Sequence, residues 1–127
     1  MRIALDTNRY ADLVKGDLTV AEIVGSADEV IVPLIVLAEL RAGFAAGTQQ
    51  ARNEAVLRRF LAQPGVSVLC PDEQTSFHYA GVFTELRHRG TPVPTNDLWI
   101  AALVLQHGLV LHARDRHFDF LPQIPRV

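Results

Sequence analysis

The stretch Thr95-Asn96-Asp97-Leu98-Trp99-Ile100-Ala101-Ala102-Leu103-Val104-Leu105-Gln106-His107-Gly108-Leu109-Val110-Leu111-His112-Ala113-Arg114-Asp115 decides the fold. Thr95 or Asn96 caps a helix that ends at His107, and Gly108 stops it. Leu109–His112 then reads as a short buried strand. In a parallel α/β unit the helix runs back against the strand it feeds. The start of the helix and the end of the strand therefore share one edge. Asp97 opens the helix and Asp115 follows the strand, so the stretch delivers two carboxylates to the same edge.

The rest of the chain repeats this grammar. Ile3–Leu5, Val30–Val32 and Val66–Leu69 are candidate strands, with a weaker fifth at Phe120–Leu121 before Pro122. Helical patterns fill the gaps: Asn8–Lys15, Thr19–Gly25, Leu34–Ala42 after Pro33 and before Gly43, and Thr48–Gln63 closed by Pro64-Gly65. A longer one, capped by Asp72, runs to Arg89 and stops at Gly90. Alternating strands and helices without hairpin signals predict an α/β fold with a central parallel sheet of four or five strands.

Two further acids belong to the same edge. Asp6 directly follows the first strand. Glu39 interrupts the apolar run Leu34-Ile35-Val36-Leu37-Ala38 and lies about 9 Å along its helix from the edge. Each acid has an ordinary alternative. Asp6 can cap the first helix, Asp97 can favour the positive helix end, and Asp115 can pair with its arginine neighbours. Glu39 sits on a mostly apolar face and needs a partner. Taken together, the acids point to a metal site. Unit charges 4 Å apart repel by about 4 kcal/mol at an effective dielectric near 20, and a domain is stable by only about 5–15 kcal/mol. All-oxygen ligands select a hard cation, Mg²⁺ or Mn²⁺. The histidines show no metal-ligand spacing; His112 and His117 alone flank the site.

Bulk properties exclude several classes. The 127 residues suit one domain, 1–127. A net charge of −2 argues against global electrostatic adhesion to nucleic acid while leaving room for a local basic rim. The apolar run Leu98–Leu105 is far short of the ~20 residues of a membrane span. The N-terminus reaches Asp6 too soon for a signal-peptide core. The single cysteine, Cys70, allows no internal disulfide and reads as a small buried apolar residue. These features predict a soluble, cytoplasmic protein without a membrane partner.

The sequence resembles a PIN domain, and most closely a VapC-type toxin ribonuclease. The resemblance spans essentially the whole chain. It rests on Leu5-Asp6-Thr7-Asn8, Val36-Leu37-Ala38-Glu39-Leu40-Arg41-Ala42-Gly43, Thr95–Ala102 and His107–Phe118. It implies a three-layer fold with helices on both faces of the sheet. It also implies an acidic cluster of Asp6, Glu39, Asp97 and Asp115, with Asp6, Asp97 and Asp115 as metal ligands. The implied activity is Mg²⁺-dependent endoribonuclease cleavage by metal-activated water, leaving a 5′-phosphate and a 3′-hydroxyl. The implied partners are RNA, a cognate VapB-type antitoxin and a second copy in a homodimer. Thr7, Asn8, Arg9, Arg41, Arg114 and Arg116 are candidate substrate contacts. Ala113 stands where the family often has Thr or Ser, and Asp119 reads as a surface acid.

Competing readings are a non-cleaving PIN-like module that binds RNA or protein, a phosphoacceptor signalling domain and a haloacid-dehalogenase-type phosphatase. The second wants a late lysine, but the only lysine is Lys15. The third wants Asp-x-Asp where this chain has Asp6-Thr7-Asn8.

Overall fold

Ile3, Ala4 and Leu5 have no solvent exposure, because the strand that carries them is paired on both sides and covered on both faces. The structure, a computed structural model, describes residues 1–127. Strand β1 (Arg2–Leu5) lies in a four-stranded sheet of order β3-β2-β1-β4. The others are β2 (Glu29–Pro33), β3 (Val66–Leu69) and β4 (Val110–His112). Every pairing is parallel, with Ile3 opposite both Val30 and Val110, and Ile31 opposite Ser67.

Six helices make the connections. α1 (Thr7–Val14) and α2 (Leu18–Ser26) join β1 to β2. α3 (Leu34–Ala46) and α4 (Gln50–Leu61) join β2 to β3. α5 (Glu73–Arg89) and α6 (Thr95–His107) join β3 to β4. The first two crossovers step one way along the sheet and the third returns across it. Parallel crossovers are almost always right-handed. The reversal therefore puts α5 and α6 on the face opposite α1–α4, giving three layers. It also makes the gap between β1 and β4 the switch point, where α/β sheets open a crevice beyond their strand ends.

The core is continuous across the sheet, from Val36, Leu37 and Leu57 through β1 to Ile100, Ala101 and Val104. α6 is buried around most of its circumference, with Ile100, Ala101, Ala102 and Leu103 at zero exposure. Its alanines let the helix approach the sheet closely. Gly108, at φ 62°, takes the left-handed conformation that ends α6 and turns the chain into β4. No helix is long and apolar enough to cross a membrane.

Several boundaries differ from expectation. α3 continues through Gly43 to Ala46, because Leu40 and Phe44 pack on the core to either side. The fifth strand is absent. A 3₁₀ helix occupies Arg116–Phe120, and the only later pairing is one bridge between Leu111 and Arg126. Phe118, Leu121 and Ile124 are all buried, a spacing of three that suits 3₁₀ turns rather than a strand. Cys70 is exposed, not buried, because it follows edge strand β3. Neither Thr95 nor Asn96 caps α6; Pro94 holds that position without a side-chain bond.

Candidate active site

Asp6 follows β1 and is 5% exposed. Its N–H donates to the His112 carbonyl at 3.1 Å, which continues the β1–β4 ladder and ties Asp6 to the end of β4. It occupies the N-cap position of α1, yet its side chain makes no capping bond. The simple capping alternative therefore fails. Asp97 lies in the first turn of α6 and is 8% exposed. Asp115 caps the 3₁₀ helix, where its Oδ1 accepts the His117 N–H at 2.9 Å. Glu39, half-buried on α3, accepts the Thr7 hydroxyl at 2.8 Å. Thr7 starts α1, so this bond links the α3 acid to the turn that carries Asp6.

The acids sense one another. Burial pushes the Asp6 carboxyl up to about 6. A hydrogen bond from the Thr7 backbone works against the rise, and the charges of Asp97, Glu39 and Asp115 add to it. Burial also raises Asp97, opposed by its bond to His117 and assisted by Asp115 and Glu39. The donor atoms of Asp97, Asp115 and His117 lie within 4.8 Å of one another, and Asp6 and Glu39 stand outside that tightest group.

No lysine or arginine side chain pairs with any of the four carboxyl groups; their only ionic partner is His117. A cluster of acids with two members buried and no fixed countercharge fits a divalent cation, and its oxygen donors fit a hard one.

The surrounding candidates separate. Arg9 and Arg114 both pair with Asp12, at 3.3 and 3.2 Å. Arg41 is committed to Glu54 through two bonds of 3.0 and 3.1 Å. Arg116 is exposed and forms no ion pair, and Asn8 is exposed. Asp119 turns outward and pairs with Arg126. His112 is buried and its Nδ1 meets the Val127 main-chain oxygen at 2.9 Å, outside the acid cluster.

Sequence reading missed one positioning residue. Arg126 donates to the main-chain oxygens of Ala113, at 2.8 Å, and Asp115, at 3.3 Å. It thereby fixes the turn that presents Asp115, in a tail with no recognisable signal.

A parallel α/β domain with a carboxylate cluster at its switch point defines a class of protein built to hold a divalent ion. The PIN domain family model matches residues 3–122, and the chain belongs to that family. Among its relatives, Ribonuclease VapC1 of Haemophilus influenzae is 36% identical over 114 residues, covering 85% of this chain and 84% of that protein. The VapBC-1 structure from nontypeable Haemophilus influenzae matches with a TM-score of 0.88 and 28% identity, covering 100% of this chain and 97% of that one. DNA-bound VapBC from Salmonella typhimurium gives a TM-score of 0.89 at 28% identity, with coverage of 100% and 97%.

Proposed function

We infer that residues 1–127 form one PIN domain acting in the cytoplasm as a metal-dependent endoribonuclease, the toxin of a type II toxin–antitoxin pair. The observation that carries this reading is the acid cluster without fixed countercharge, in a chain whose relatives include named VapC ribonucleases. Asp6, Asp97 and Asp115 hold the ion, and Mg²⁺ is the proposed one, with Mn²⁺ as a substitute. When bound, the ion supplies an acidified water and charge stabilisation at the scissile phosphate.

The protein groups set the geometry of hydrolysis. Glu39 uses one carboxylate oxygen to accept the Thr7 hydroxyl. Its other oxygen accepts no intramolecular bond, so it is available to orient the attacking water. Arg116, free of ion pairs, meets the RNA backbone, and Arg9 and Arg114 can exchange Asp12 for phosphate. Thr7 and Asn8 line the same edge. Water adds to phosphorus and the P–O3′ bond breaks, leaving a 5′-phosphate and a 3′-hydroxyl. The purified chain should cut RNA with Mg²⁺ or Mn²⁺ and stop in EDTA. Asp97→Asn or Asp6→Asn should lower the rate beyond the roughly 10–100-fold loss typical of an outer-shell partner. Cleavage at full rate in EDTA would overturn the mechanism, and a folded, metal-bound chain that never cuts would favour the binding-module reading.

A VapB-type antitoxin is the proposed inhibitor, in keeping with the VapBC complexes. A groove of about 160 Å³ beside α1 is lined by Tyr10, Val14, Leu40, Phe44 and Val56 and suits its apolar anchors. The apolar residues of α1 and α2 divide between the core and this surface. Tyr10 and Val20 turn into the molecule, while Val14 and Leu18 are 52% and 84% exposed. Homodimer formation is also proposed. Phe77 and Phe83 on α5 are exposed aromatics of the kind a second copy covers.

A further inference from the structure

His117 is the one member of the tight cluster that is not an acid. Its Nδ1 lies 2.7 Å from Asp97 Oδ2 and 2.9 Å from Asp115 Oδ1. The side chain is 41% exposed, so core packing does not explain its orientation. Its backbone explains it: the His117 N–H binds Asp115 Oδ1, and this short turn aims the ring back at the acids. One ring nitrogen facing two carboxylates can share a proton between them. The same separations also suit coordination, because neighbouring donors around a six-coordinate ion with bonds of about 2.1 Å stand about 3 Å apart.

We propose that His117 Nδ1 is a direct ligand of the divalent ion, alongside Asp97 and Asp115. The inference rests on the metal-dependent reading above and deepens it. An all-carboxylate site favours Mg²⁺. An imidazole nitrogen adds affinity for first-row transition ions, increasing from Mn²⁺ to Co²⁺. This chain therefore prefers such ions more strongly than its acids alone dictate, and His117 sets that preference.

Affinity for one ion does not separate a ligand from a hydrogen-bonded clip, since losing an outer-shell partner also costs about 10–100-fold. Two readouts do. The full chain is loaded with Mn²⁺ alone and examined by pulsed electron paramagnetic resonance, as wild type and as His117→Gln and His117→Ala. Wild type should show the ¹⁴N coupling of a directly bound imidazole, and both variants should lose it. Calorimetric titration should show Co²⁺ affinity falling about tenfold or more in the variants, Mn²⁺ less, and Mg²⁺ within about twofold. Metal-free melting curves identify any variant that fails to fold, and the other then carries the test. Mn²⁺ bound in wild type without ¹⁴N coupling, or equal losses for all three ions, would overturn the assignment and leave the nuclease reading intact. Absence of any Mn²⁺ binding would remove both.

Discussion

At the scale of single residues, Asp6 turns the site into a pH-dependent element of stability. Its carboxyl sits near 6 in the folded chain, against the ordinary 3.8. Between those values the folded state binds more protons than the unfolded state. Stability from this group is thus fully present below about pH 4 and is lost as pH rises through 6, a change of about 3 kcal/mol. Asp6→Asn removes the ionisation. In EDTA at pH 7.5 the variant should melt several degrees above wild type, and at pH 4 the two should nearly coincide. Saturating Mg²⁺ should raise the wild-type melting temperature more than that of the variant. A variant that melts lower than wild type at pH 7.5 without metal would contradict this account. Metal affinity should also weaken as pH falls through about 6, because the ligands must be ionised.

At the scale of elements, α5 depends on its first turn. Asp72 accepts the Thr75 N–H at 3.1 Å, its own N–H donates to the Thr75 hydroxyl at 2.9 Å, and Gln106 of α6 donates to the same carboxylate. This bond ties the beginning of α5 to the end of α6. Asp72→Ala should cost about 0.5–2 kcal/mol by denaturant titration and leave the acids in place. What the sequence shows well is what depends on local pattern. Strand–helix alternation was enough to place Asp6, Asp97 and Asp115 at one edge and to anticipate Glu39 near it. The less legible features depend on partners distant in the chain. Gly43 looked like a stop, and only the packing of Leu40 and Phe44 carries α3 past it. Phe120-Leu121 looked like a strand, but its apolar residues are needed inward every third position. His117 reaches the acids through a 3₁₀ turn, and Arg126 braces them from the end of the chain.

At the scale of the molecule, we propose that inhibition and metal binding converge on the same charge. An antitoxin side chain of arginine or lysine can neutralise the acids in place of the ion, with arginine pairing bidentately. Antitoxin potency should therefore fall as Mg²⁺ rises, measured by RNA cleavage across a matrix of both concentrations. Potency independent of Mg²⁺ would favour steric blocking of RNA instead. The pairing of β1 with β4 has a consequence for synthesis. Asp6 leaves the ribosome well before Asp97 and Asp115, and β1 has no β4 neighbour until residues 110–112 have also emerged. A nascent chain that stops short of β4 therefore carries an incomplete site and is expected to spare the messenger and ribosome producing it. Ribosome-bound chains stalled before Gly108 should neither cut RNA nor retain Mn²⁺; cutting by such a chain would refute this vectorial safeguard.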